Sequence, residues 1–356
     1  MPALDRPWAD TGASNGTAPE GTAPNNGVFD TGSTSIGHGD VEPQGAEPDG
    51  AAWLRHMRRG AWAEAWAVSD AVLRARGGAP SWHLPRHEQW VWDGRPLAGR
   101  RVLVRCYHGL GDTLQFARFV PPLCTEAAAV TLWAQPALLP LLATMRGVAP
   151  LAPLSDGAPE VPYDVDVEVM ELAHVARVTP ATLPLPPHFD VVPAPLARDG
   201  RLAVGLVWES GDWDRATRSV PLPLLAPLTR VPGVALHVLQ RGPALAAVRD
   251  EPFGPALGVV SGSDDVLEAA RVMRALDLVI TVDTMPAHLA GALGVPVWTL
   301  LPHVADWRWM DGRDTTPWYP SMRLFRQPRP GDWAAVIAHV ADELARLATC
   351  RRDLSS

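Results

Sequence analysis

The sequence predicts an α/β protein built from two parallel-sheet lobes, and three observations lead to that expectation. Short β-rich runs alternate with helical runs in two series, one from about residue 100 and one from about residue 201. A proline-rich stretch, TPATLPLPPHFDVVPAPLARDG, separates them. Glycine turns or acid–hydroxyl pairs follow several of the strand-like runs, where the end of a parallel strand hands over to a helix and ligands are usually received.

Length and composition fit this expectation. The chain has 356 residues, 47% of them hydrophobic, enough for two cores. No run reaches the roughly 18 uncharged apolar residues of a membrane span, and no basic segment followed by an apolar one opens the chain. The expectation is a cytoplasmic protein. The net charge of −8 is uneven: eight acids and one base in the first fifty residues give −7, which leaves about −1 for the rest. A nearly neutral body argues against nucleic-acid binding. Cys106, Cys124 and Cys350 show no pairing or zinc spacing and read as reduced thiols. All 31 basic residues are arginine, so lysine Schiff-base chemistry and a P-loop lysine are excluded.

In chain order, residues 1–48 are rich in Gly, Ala, Pro, Thr and Asn and are expected to be a disordered tail. Residues 49–80 carry apolar groups at helical spacing on both sides of Gly60 and end at Gly77-Gly78, which predicts a helical hairpin resembling one degenerate tetratricopeptide unit. A single unit cannot bury its own face and must lean on the next domain. Residues 81–190 form the first α/β lobe, with RRVLVRCY, AAVTLWA and YDVDVEV as strands and DTLQFARFVPPL and PALLPLLATM as helices. Residues 191–350 form the second, with strands RLAVGLVW, GVALHVLQ, DLVITV and VPVWTLL and helices DDVLEAARVMRAL and MPAHLAGAL. The last helix, DWAAVIAHVADELARLA, either closes the second lobe or crosses back to the first.

Three strand-end stretches carry candidate chemistry. In RCYHGLGDTLQFARF, Gly109 and Gly111 allow a tight turn, and Asp112 is either a helix cap or a general base, compatible roles only if one carboxylate oxygen caps and the other faces substrate. In LVITVDTMPAHLAGALGVPVWTLLP, Asp283 and Thr284 open a helix, Pro286 suits its first turn, and His288 lies one turn beyond Thr284. That is either a capped helix with a core histidine or a diphosphate site. In VWESGDWDRATRSVPL, Arg215, Arg218 and Ser219 are solvated loop residues or phosphate ligands. Trp307, Trp309, Trp318 and Tyr319 either stack on a base or sugar or staple a loop to the core. Asp164 and Asp166 share a strand face but lack a third metal ligand, so no metal site is expected.

The segments GLGDTLQFARF, WESGDWDRATRSVPL, LDLVITVDTMPAHLAGALGVPVWTLLP and DWRWMDGRDTTPWYPSMRLFRQ together resemble the glycosyltransferase domain found behind tetratricopeptide repeats in many bacterial proteins. That domain is similar to the lipopolysaccharide heptosyltransferases of glycosyltransferase family 9, and the resemblance covers about residues 85 to 350. It implies a GT-B architecture, two Rossmann-like domains facing a cleft, and inverting, metal-independent transfer from a nucleotide-sugar donor to a glycan, lipid-linked or protein acceptor, with peripheral membrane association. It implies Asp112 as base and a donor-binding set of Gly109, Gly111, Trp208, Arg218, Ser219, Gln240, Asp283, Thr284 and His288. The chain departs from the pattern at Tyr107-His108, where relatives with longer repeat arrays have Glu-Gln, and in having no phosphate-binding lysine. Rival readings are a catalytically silent sugar-nucleotide or protein-binding module and a nucleotide-sugar epimerase, the latter needing a second acid/base group such as Glu209.

Overall fold

The computed structural model describes residues 49–355 except Arg198, with side chains as far as Arg351; the tail expected over 1–48 lies outside the described residues. Two all-parallel sheets organise the chain. The first contains β1 (Arg101–Arg105), β2 (Ala129–Ala134), β3 (Leu151–Pro153) and β4 (Val165–Glu168) in the order β3-β2-β1-β4. The second contains β5 (Leu202–Val207), β6 (Val234–Val238), β7 (Val259–Val260), β8 (Leu278–Val282), β9 (Val297–Leu301) and β10 (Met322–Arg326) in the order β10-β9-β8-β5-β6-β7. Both orders reverse beside their first strand, the doubly wound pattern that opens a crevice at the strand ends. The central strands are buried from Val102 in β1 and throughout β8, as RVLVR and LVITV require when helices cover both faces. Strands β3, β7 and β10 escape the sequence reading, because LAP carries a proline, VV is too short and MRLFR carries two arginines without apolar–polar alternation.

The helix expected to begin at Asp112 begins two residues earlier. Helix α3 spans Leu110–Phe116 with Gly109 as N-cap, and Asp112 stands inside its first turn, where its Oδ2 accepts the Gly109 N–H at 2.9 Å. The expected single helix then breaks into a 3-10 turn at Ala117–Phe119 before Val120–Glu126 resumes it. Pro121 and Pro122 explain the break, since neither has an N–H to donate to the preceding turn. The final helix, Trp333–Ser355, puts Trp333, Val336, Ile337, Val340 and Leu344 into the core cluster of β5, β6 and β8, so it closes the second lobe.

The hairpin of α1 (Asp49–Arg58) and α2 (Trp62–Ala75) leans on both lobes. Toward the second lobe, Trp53 meets Trp307 edge-on at 5.1 Å and Trp62 stacks on Trp318 at 5.0 Å. Toward the first, the Trp66 Nε1–H donates to the Val178 carbonyl at 2.6 Å, and Asp70 pairs with His174 and Arg177. One apolar core runs from the hairpin through the first lobe to the helix Met285–Ala292. Gly60 takes a positive φ of 76°, a backbone conformation that L side chains rarely adopt, so the hairpin turn needs glycine there.

Candidate functional site

The loops after β1, β5, β8 and β9 meet at one cleft of about 930 Å³, lined by the start of α3, the 211–218 loop, the start of helix Met285–Ala292 and the Asp306–Arg308 turn. Helix α3 packs directly on helix Met285–Ala292. Gly111 makes this possible, since a Cβ there would lie 2.7 Å from the His288 Cδ2. The cleft thus has a wall from each lobe.

Arg308 is the central group of the first-lobe wall, although it comes from the second lobe. It is 4% exposed, and it donates to Asp112 Oδ1 at 2.5 Å, to Asp306 Oδ1 at 2.9 Å and to Gln115 Oε1 at 2.9 Å. The Asp112 carboxylate, expected to offer one oxygen to substrate, is therefore engaged at both, by Arg308 and by the Gly109 N–H. Burial opposes its charge, but the Arg308 and His108 charges and the Gly109 N–H outweigh burial and hold its pKa below the ordinary carboxylate value. The cation gains in turn: burial disfavours it, yet Asp306 and Asp112 keep Arg308 more firmly charged than usual.

The second-lobe wall is built differently. Asp283 follows β8 and is 5% exposed, and burial and then the Asp306 charge push its pKa up to about 6. Thr284 is the N-cap of helix Met285–Ala292, its hydroxyl makes no capping bond, and Thr284 and Met285 both line the cleft; Pro286 has no N–H and the Ala287 N–H donates to the Thr284 carbonyl at 2.9 Å, which leaves the Met285 N–H as the backbone donor of that turn. Arg218 donates to the Asp283 carbonyl at 2.7 Å and to the Trp213 carbonyl, and its guanidinium lies 4.3 Å from the Trp213 ring centroid. His288 stacks on Trp309 at 5.4 Å with its Nδ1 3.0 Å from the Tyr319 hydroxyl; burial and then Arg308 lower its pKa to about 4, so it is neutral.

The structure brings Gly109, Gly111, Asp112, Arg218, Asp283, Thr284 and His288 together on this cleft. It does not bring Trp208, Ser219 or Gln240 to the lining. Trp208 lies in the second-lobe core, and the Trp208 and Glu209 N–H groups both donate to Gln240 Oε1, at 3.1 and 2.9 Å. Ser219 Oγ accepts the Ser210 N–H at 3.1 Å. These three residues splint the loop that carries Arg218. Arg215 pairs with Glu209, and the four aromatic residues Trp307, Trp309, Trp318 and Tyr319 are buried as the staple that joins hairpin and lobes. Asp164 and Asp166 pair with Arg101 and Arg105, and among the described residues no group of three His, Cys, Asp or Glu gathers as a metal site.

Residues 259–327 match Glycosyltransferase family 9 (heptosyltransferase). The chain is 28% identical over 321 residues to protein FlbA of Caulobacter vibrioides, covering 79% of this chain and 52% of that protein, so it spans about half the length of this curated relative. Its fold is similar to the ADP-heptose lps heptosyltransferase II of E. coli, with 14% identity, a TM-score of 0.52, and coverage of 71% of this chain and 99% of that one. It is also similar to a family 9 glycosyl transferase from Veillonella parvula, with 12% identity, a TM-score of 0.50, and coverage of 65% and 87%. The fold is α/β with two Rossmann-like sheets, like these GT-B relatives, and the family 9 segment supports a glycosyltransferase.

Proposed function

We propose that this protein transfers a sugar, with inversion and without a metal, from a nucleoside diphosphate donor seated on the second-lobe wall to an acceptor hydroxyl presented from the first. The observation that carries this reading is the convergence of Asp112 and Arg308 with Arg218, Asp283, Thr284 and His288 on one cleft at the strand ends of both sheets. The helix start at Thr284 and the Arg218 guanidinium would hold the diphosphate. Asp112 would fix Arg308 beside the cleft, where the guanidinium meets charge developing on the departing nucleotide. The likeness to an ADP-heptose enzyme puts a heptose first among candidate sugars and a lipopolysaccharide-type glycan first among acceptors, in a cytoplasmic setting at the membrane surface.

Thermal-shift screening of a nucleotide-sugar panel, followed by mass spectrometry of products, tests the reading. A shift with one donor class and a matching glycosylated product is expected. The engagement of both Asp112 oxygens favours one alternative, a silent sugar-nucleotide-binding module, and donor binding with no product from any acceptor would establish it.

A further inference from the structure

The cleft contains a second group suited to taking a proton, on the residue pair just ahead of the Gly109 turn. His108 follows β1 and Glu168 ends β4, the two strands that flank the point where the first sheet reverses. His108 Nδ1 lies 2.9 Å from Glu168 Oε1, off the line of an ideal hydrogen bond, while Nε2 meets no hydrogen-bond partner. Catalytic bonds in unliganded proteins are often misaligned in this way and tighten with substrate. Glu168 is itself held rigidly: its oxygens accept the Tyr107 N–H at 3.2 Å and the Met170 N–H at 2.7 Å, and it is 1% exposed. The backbone of His108 is also pinned, its carbonyl accepting Gln135 Nε2 at 2.7 Å. The His108 side chain is 7% exposed, and the residue lines both the cleft and an adjoining aromatic chamber walled by Trp53, Trp66 and Trp307.

We propose that His108 is the proton acceptor for the attacking hydroxyl, with Glu168 as its positioning residue. The inference rests on the glycosyl-transfer reading and deepens it. In the step, the hydroxyl proton passes to His108 Nε2 as the oxygen pair forms the bond to the anomeric carbon; the bond from that carbon to the phosphate oxygen breaks, and its electrons leave on the nucleoside diphosphate. Asp112 is the weaker base of the two, because Arg308 and Gly109 already occupy its oxygens. The groups facing His108 are Glu168 from β4, Asp112 from α3, Arg308 from the turn after β9, His87 and Glu88 from the linker, and Glu171 beyond β4. Burial disfavours the imidazolium, but Glu168 and Asp112 outweigh burial and raise its pKa.

The test is the pH profile of nucleoside diphosphate release in single turnovers of the nucleotide sugar that the wild type accepts, with ADP and UDP binding measured in parallel by calorimetry. The wild type is expected to gain rate with rising pH along a limb centred above the ordinary histidine value. In His108→Gln the rate should fall about 10²–10⁴-fold, the limb should vanish and nucleotide affinity should hold within about threefold. Added imidazole should restore part of the rate of His108→Ala, a rescue that a structural histidine would not show. Glu171→Gln should keep the limb. Retention of the limb and of more than half the rate in His108→Gln, with nucleotide binding intact, overturns the assignment. Absence of ADP and UDP binding in the wild type would instead remove the parent reading together with this one.

Discussion

The two walls of the cleft each carry a buried aspartate near the start of a helix after a central strand, and they treat it in opposite ways. Asp112 meets Arg308 and a backbone N–H and is held ionised. Asp283 meets Asp306 and has Arg218 only on its own carbonyl, so burial pushes it up to about 6. Burial alone therefore does not set the charge of a carboxylate; the nearest fixed charge does. The consequence concerns the anionic donor. With Asp283 protonated, the cations Arg218 and Arg308 face Asp112, Asp212 and Asp306, and ionisation of Asp283 adds one further negative charge to the cleft.

Removing the cation that distinguishes the two walls should have the largest effect. Arg308→Met strands Asp112, Asp306 and Gln115 in a buried site, and urea denaturation should register a loss of about 3–5 kcal/mol or failure to fold. A loss under about 1 kcal/mol would mean that Arg308 does not organise the first-lobe wall.

Asp112→Asn keeps the shape and one acceptor oxygen while removing the charge, so a smaller loss of about 1–3 kcal/mol at pH 7 is expected. The folded pKa of Asp112 lies below its unfolded value, so its stabilisation is present above about pH 4 and disappears as pH falls through the depressed folded value. Acid unfolding of the variant should accordingly flatten in that window, and an acid limb as steep as the wild type's would contradict the pairing.

Gly111→Ala tests the closeness of the walls rather than their charge. The new Cβ must displace the His288 ring, at a cost of about 1–3 kcal/mol, and should weaken nucleotide binding through the shifted His288. Unchanged melting temperature and unchanged ADP affinity would show that α3 and helix Met285–Ala292 do not touch in solution.

The mildest change is Asp283→Asn. The folded pKa of about 6 exceeds the unfolded value, so ionisation of Asp283 destabilises the fold as pH rises through this range, and the variant should be the more stable protein above pH 6. Wild-type nucleotide affinity should weaken as pH rises through about 6, and the variant should lack that step in calorimetric titrations. Parallel titration curves for the two proteins would remove Asp283 from the donor wall.

What the sequence made legible and what it hid divide along the range of the interactions. The alternation of strands and helices, the hairpin, and the local signature of Asp283, Thr284, Pro286 and His288 depend on neighbours in the chain, and periodicity reports them. Arg308 depends on Asp112 and Gln115, nearly two hundred residues away, and nothing in DWRWM states that those partners converge on it. The available signal was an arginine between two tryptophans, two residues after an aspartate, in a chain without lysine. Trp208, Ser219 and Gln240 are expected as donor ligands from the family resemblance, but whether such a side chain faces inward to splint the loop or outward to the cleft is a tertiary choice. The same limit hid the pairing of His108 with Glu168, which requires β1 and β4 to be neighbours.

The most direct measurement of the central claim is a crystal structure with a nucleoside diphosphate bound. The account places the diphosphate between Arg218 and the first turn of helix Met285–Ala292, with Thr284 in contact and Arg308 across the gap. A nucleotide seated outside the cleft between the two lobes, or one whose phosphates touch neither Arg218 nor the Thr284 helix start, would contradict it.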